Sequence, residues 1–251
     1  GYVYAWGSNS MGQLGFGAGV IEKLIPEMIP NLNSVVHVAA GDYHTLILKS
    51  DGSVWSFGAN LRGQLGDGTN VSKSLPTQVS GLANIKKVAA GSVHSMALND
   101  TGQVFTWGAG DLGQIGNGQT ADAWTPRQVS LAAVTDIAAG WNHCLAAVNT
   151  GGLGIPNVYA WGSDSHGQLG QWSYWWYSGS SATSPRGVVN ATNIVSVAGG
   201  GYHSAAVDAF GAVWTWGWGK YGQIGNNATP TYSPPAALTQ PSQVKAVAAG
   251  G

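Results

Sequence analysis

The chain is poor in charge. Only 8% of its 251 residues are charged, Lys+Arg 10 against Asp+Glu 11, for a formal net charge of −1. An average domain carries about 25%. No basic field is therefore available to hold nucleic acid through its phosphates, and nucleic acid is not an expected partner. Cysteine is almost missing too. The one thiol, Cys144, excludes an internal disulfide and says little about compartment. No apolar run reaches the roughly 20 residues that a membrane-crossing helix needs, and no signal peptide is visible. Helical periodicity is absent throughout.

What is present in excess is glycine (39 residues) and tryptophan (12 residues), within a chain that is 44% hydrophobic. That is enough apolar side chain for a packed core, so the thin charge does not signal disorder. The glycines fall at regular positions. An aromatic-Gly pair at Trp6, Phe57, Trp107, Trp161 and Trp216 recurs at intervals of 51, 50, 54 and 55 residues. Each pair is followed by a Gly-Gln phrase, whose glutamines are Gln13, Gln64, Gln114, Gln168 and Gln223. A second phrase, Ala-Ala-Gly or Ala-Gly-Gly, ends at Gly41, Gly91, Gly140, Gly200 and Gly250, and His44, His94, His143 and His203 stand three residues after the first four.

Within one unit the signals are those of short strands. Val36–Ala40 and His44–Leu48 are apolar and bounded by glycine-rich turns. Asp51-Gly52 predicts a tight hairpin turn, Ser53–Phe57 a return strand, and Pro76–Val79 a further strand with proline at its first position. Four short strands per unit of about 50 residues predict an all-β fold, a β-propeller of five visible four-stranded repeats forming one domain over residues 1–251. The pattern resembles the regulator of chromosome condensation repeat family, whose members form propellers that usually have seven blades. The resemblance covers nearly the whole chain and implies the fold; function has to be argued from a site.

The chain starts and stops inside a unit, about nine residues and one histidine strand short of a five-unit circle. Either it is a five-bladed ring lacking a strand or a piece of a longer, seven-bladed array. The second is favoured, because an unclosed propeller leaves bare sheet edges.

Two insertions break the repeat. His143 to Trp161 spans 18 positions where His44 to Phe57 spans 13, the extra residues falling in Gly151–Pro156. Gly170 to Pro185 spans 15 where Gly66 to Pro76 spans 10, and this loop holds Trp172, Tyr174, Trp175, Trp176 and Tyr177, five aromatics in six residues. Trp124 and Tyr232 occupy the same loop in two other units, so all seven are expected on one face. Aromatic side chains dominate binding hot spots, and the expectation is a surface for a protein partner or for identical subunits. The competing reading is that the loop folds back to cap its neighbouring blade.

Catalytic and metal chemistry is not expected. Metal ligands must converge within about 2 Å of one ion, whereas the four histidines belong to different blades, each fixing the same turn. His143-Cys144 looks like a base and its nucleophile, but strand neighbours point to opposite faces, and Cys144 stands where other units have Thr45, Ser95 and Ser204. Gly108–Gly113 and Gly217–Gly222 match a dinucleotide fingerprint that works only between a strand and a helix, so no cofactor is expected. The glutamines read as loop staples for backbone groups. Asn70, Asn190 and Asn227 begin glycosylation-type triplets of a kind that chance supplies in such a chain. The function expected is a binding or assembly module, extracellular or at a cell or virion surface. Two alternatives stand beside it. One is guanine-nucleotide exchange on a small GTPase with chromatin docking, which the family resemblance implies. The other is an enzyme at the propeller channel, which would need carboxylates clustered near the axis.

Overall fold

A computed structural model describes residues 1–151, 157–171 and 181–250. The described residues form antiparallel sheets arranged as the blades of a propeller and include no helix. The first blade holds β1 (Tyr4–Ser8) and β2 (Glu22–Met28). The second holds β3 (Val35–Ala40), β4 (His44–Lys49), β5 (Val54–Gly58) and β6 (Lys73–Gln78). The third is β7 (Ile85–Ala90), β8 (His94–Asn99), β9 (Val104–Gly108) and β10 (Ala123–Gln128). The fourth is β11 (Val134–Ala139), β12 (His143–Val148), β13 (Val158–Gly162) and β14 (Ala182–Gly187). The fifth is β15 (Ile194–Gly199), β16 (His203–Asp208), β17 (Val213–Gly217) and β18 (Ser233–Ala237). Strand order in each complete blade follows the chain, inner strand to outer.

Four of the five repeats thus make complete four-stranded blades. The first contributes two paired strands, and its Trp6 is 60% exposed where Trp107, Trp161 and Trp216 are fully buried. Beyond β18, Val244 N donates to Gly211 O and Gly201 N donates to Gly250 O. This last segment therefore lies against the fifth blade as β11 lies against the third. It has no ladder partner among the described residues.

The hairpin at Asp51-Gly52 forms as its residues require: Gly52 has φ +79°, and Lys49 N donates to Ser53 O at 3.0 Å. The outer strand begins earlier than expected, at Lys73, and Pro76 sits inside it. That is tolerated because β6 is an edge strand and its pairing with β5 is irregular between Ser56 and Gly58, so no ladder bond needs the missing N–H. Pro126 and Pro185 lie in the corresponding strands β10 and β14.

Blades pack face to face, which buries the middle strands on both sides. Every residue of β8 is buried, and alternation is lost there. The core aromatics Phe57, Trp107, Trp161 and Trp216 fill the space between neighbouring sheets. Two glycine positions are dictated by close approach. A Cβ on Gly58, at φ +110°, would lie 2.3 Å from Tyr43 O. A Cβ on Gly91 would lie 2.1 Å from the His94 ring and 2.5 Å from Gly140 O of the next blade, which explains why the Ala-Ala-Gly phrase and the histidine travel together.

Candidate binding face

The repeated polar residues are consumed by the joints between blades. Ser95 Oγ donates to Gln64 O at 2.8 Å, so the His44 ring of the preceding blade must donate from Nε2 to Ser95 Oγ, 3.0 Å away. The Trp107 indole donates to the same Gln64 carbonyl at 2.9 Å. The motif repeats with His143, Ser204, Gln168 and Trp216. Between the third and fourth blades Cys144 takes the hydroxyl's place: its Sγ lies 3.2 Å from His94 Nε2 and 3.5 Å from Gln114 O, and Trp161 donates to Gln114 O at 2.9 Å. The histidines join blades rather than fix turns alone. The partner of Cys144 is His94, from another blade, and not its chain neighbour His143. Burial pushes the Cys144 thiol well up and lowers His44 to about 4 and His94 and His143 to about 3. A neutral, sealed imidazole beside an un-ionised thiol is a structural joint and not a reacting pair. The glutamine side chains are staples, as expected: Gln64 Oε1 accepts from Arg62 N at 3.0 Å and Gln223 Oε1 from Tyr221 N at 2.8 Å.

Chemistry near the axis is sparse. The inner strands carry one carboxylate, Asp136, held by Lys87 Nζ and by Val197 N. The channel mouth is a cavity of about 230 Å³ walled by the glycines of the Ala-Ala-Gly phrase with Asp42, Ser92 and Trp141. Among the described residues no group of His, Cys, Asp and Glu is placed to hold a metal ion. The fingerprint glycines Gly108 and Gly217 end strands β9 and β17, and no helix follows them.

One face of the propeller is built from the turn between the first and second strands of each blade and the loop between the third and fourth. The backbone there is the same from blade to blade, but side chains vary, at two positions in particular. One follows the Ala-Ala-Gly phrase (Asp42, Ser92, Trp141, Gly201). The other precedes Gly-Gln (Met11, Arg62, Leu112, His166, Tyr221). Across the second and third blades three of these four positions, Asp42, Arg62 and Ser92, are polar. Arg62 Nε donates to Asp122 Oδ2 at 2.6 Å and Nη2 to Oδ1 at 2.7 Å, with Asp111 at 3.1 Å. The hydrogen bond from Arg62 holds the Asp122 carboxyl below its usual range, and Ser92 Oγ donates to Asp42.

Across the fourth and fifth blades three of these four positions, Trp141, His166 and Tyr221, carry rings, and Tyr202 and Trp218 beside them add two more. Trp141 meets Tyr202 edge-on at 5.1 Å and 72°, Tyr202 meets Trp218 at 5.7 Å and 90°, and Trp218 meets Tyr221 at 5.2 Å and 78°. His166 packs beneath, 4.5 Å from Tyr202 and 5.3 Å from Trp218. Tyr221 is 75% exposed and Trp141 39%. The rings border a groove of about 460 Å³. Neutral, aromatic and open, the groove suits recognition rather than proton transfer.

Trp124 and Tyr232 lie on this face, and each covers a glycine of the preceding blade. A Cβ on Gly63 would meet Trp124 at 2.5 Å, and one on Gly167 would meet Tyr232 at 1.8 Å. Trp124 stays 45% exposed, while the Tyr232 hydroxyl donates to Gln171 O at 3.3 Å. Burial, with the nearby Asp164 carboxylate, raises the Tyr232 phenol. The insertion aromatics Trp172, Tyr174, Trp175, Trp176 and Tyr177 lie outside the described residues, as does 152–156 of the other insertion. Sequence reasoning missed the cluster of Trp141, His166, Tyr202, Trp218 and Tyr221. The signal that could have found it is side-chain variation at those two positions and at the positions of Tyr202 and Trp218, aligned between blades and not along the chain.

Fold and face together define a β-propeller of Trp-Gly/Gly-Gln repeats with an aromatic turn face. The description of the RCC1-like domain matches residues 2–251, and the chain belongs to that family. It is 43% identical over 74 residues to the mouse regulator of chromosome condensation, covering 30% of this chain and 18% of that protein. It is 31% identical over 231 residues to the human E3 ubiquitin-protein ligase HERC2, covering 90% of this chain but 4% of that one. The chain therefore spans a small part of these sequence relatives. Among solved structures, Prp20p from Saccharomyces cerevisiae, described with its binding to Gsp1p and histones, superposes with a TM-score of 0.81 at 25% identity over 96% of this chain and 59% of that one. Human WBSCR16 gives the same TM-score and identity over 98% of this chain and 65% of that one.

Proposed function

We propose that this chain is a non-catalytic protein-binding propeller that engages its partner through the turn face. The observation that carries the reading is the open aromatic groove on the fourth and fifth blades, on the face that also bears Trp124 and Tyr232. Aromatic side chains offer large contact area at low entropic cost. The likeness to a yeast protein described by its protein partners supports a binding role. Affinity capture from the native source with the unaltered chain, with Trp141→Ala/Tyr221→Ser, and with Phe210→Ala is the test. Phe210 is 79% exposed on the opposite, hairpin face. A partner retained by Phe210→Ala and lost by the turn-face variant supports the reading, and equal capture by all three overturns it.

The family resemblance implies a second reading, nucleotide exchange on a small GTPase. Acceleration of labelled-nucleotide release from a small GTPase of the same source supports it, and an unchanged release rate overturns it.

A further inference from the structure

We propose that the groove between Trp141, Tyr202, Trp218 and Tyr221 takes an extended, proline-rich segment that carries a carboxylate; this rests on the protein-binding reading above and narrows it to a partner chemistry. The rings stand in a row, each turned edge-on to the next by 72°, 90° and 78°. Such a row presents notches between rings rather than a flat platform, so it fits small saturated rings better than the broad face of a sugar. Ring centroids are 5.1, 5.7 and 5.2 Å apart. A polyproline II segment rises about 3.1 Å per residue, so every second residue falls roughly 6 Å on, close to this spacing.

The groove also has donors to spare. The indoles of Trp107, Trp161 and Trp216 each donate to a backbone carbonyl, and those of Trp55 and Trp214 donate to side-chain oxygens. Trp141 and Trp218 have no acceptor for their indole N–H among the described residues. Polyproline II leaves its carbonyls unpaired and is recognised by aromatic-lined grooves that donate to them. Charge selects within that class. Lys220 Nζ sits 5.8 Å from the Tyr221 ring and makes no ion pair with a carboxylate among the described residues, whereas Arg62 on the other half of the face is matched by Asp111 and Asp122. An acidic occupant finds its counter-charge at the end of the aromatic row, and a basic one is repelled there.

The test is fluorescence anisotropy of the 251-residue protein with a labelled proline-rich peptide bearing glutamates. The comparators are the same peptide with lysines for glutamates and with glycine-serine for prolines. The acidic proline-rich peptide is expected to bind best. Trp218→Ala and Tyr221→Ser should each weaken it about tenfold or more, and Lys220→Glu should reverse the preference between acidic and basic peptides. Tyr221 is exposed enough that its replacement leaves folding intact, and a thermal melt checks Trp218→Ala. Equal binding of the glycine-serine or lysine peptide, no loss in Tyr221→Ser, or no binding at about 1 mM peptide overturns the inference. If the peptides fail while capture of a partner still depends on the turn face, only this inference falls. If capture is also indifferent to that face, the binding reading falls with it.

Discussion

At the scale of single residues, two positions show how tightly the blades are fitted. Gly91 lies under its own blade's histidine and against the next blade's backbone, and neither neighbour can yield, because the His94 ring is held at Cys144. Gly91→Ala is expected to cost at least about 3 kcal/mol, on the order of 6–12 °C in melting temperature. Gly187→Ala, where a Cβ meets nothing within 4 Å, should stay within about 0.5 kcal/mol. Differential scanning calorimetry separates the two. Asp164 is a second case. Asn9 and Asn60 use their side-chain oxygens to accept from Leu14 N and Leu65 N, and Asp164 accepts from Leu169 N in the same way. Buried there, its carboxyl is raised to about 6. The folded state therefore holds a proton that the unfolded chain releases near pH 4, so this residue costs stability increasingly as pH rises from about 4 to 6, and by a constant amount above that. Asp164→Asn should raise the melting temperature at pH 7.5, by the equivalent of about 1–3 kcal/mol, and leave it little changed at pH 4. The glycine was legible in the sequence as a repeat mark. The asparagine-to-aspartate exchange was not, because its effect depends on burial that only blade packing creates.

At the scale of elements, the joint between blades is the unit that repeats. Three joints receive a tryptophan indole on the glutamine carbonyl, while the joint at Gln13 has Phe57 in that place and only Thr45 Oγ1 donating, at 2.8 Å. Trp161→Phe should therefore lose about 1–2 kcal/mol, and Phe57→Trp should gain about 1 kcal/mol by restoring the missing bond. Urea unfolding with unchanged m-values would show both, and a destabilised Phe57→Trp would mean that the joint near Gly15 lacks room. Strands and hairpins were largely readable from alternation and Gly-containing turns, yet Pro76 was not placed correctly. A proline signals a strand end when neighbours are unknown; here the strand runs through it because the sheet edge and an irregular register remove the need for its N–H.

At the scale of the whole molecule, the joints seal three imidazoles. His44, His94 and His143 donate from Nε2 or face a thiol, and each Nδ1 is buried without a partner among the described residues. Their folded values, about 4, 3 and 3, lie below the ordinary 6.5. Between pH 6.5 and 4 the unfolded chain takes up protons that the folded chain refuses. The histidines' contribution to stability is full above pH 6.5 and falls with acidification, by about 1.4 kcal/mol per pH unit for each, offset in part by Asp164 below pH 6. Denaturant titrations at pH 7.5, 6 and 5 should show that slope, and the three ring signals in NMR should stay flat from pH 8 to 5. A histidine of this set titrating near 6.5 would contradict the sealed joint.

The repeat by itself determined the blade. Short apolar strands, turn glycines and the spacing of Trp-Gly and Gly-Gln are local features, and hydrogen-bonded hairpins follow from them without distant information. The same repeat also accounted for the apparent fingerprint and metal motifs. Tertiary structure alone decided which side chains meet across blades, since such pairs lie about one repeat apart in the chain. It paired His94 with Cys144, placed Asp164 in a buried staple, and assembled Trp141, Tyr202, Trp218 and Tyr221 from two blades into one groove. In the sequence those aromatics are scattered over two repeats; only the stacking of blades makes them a surface.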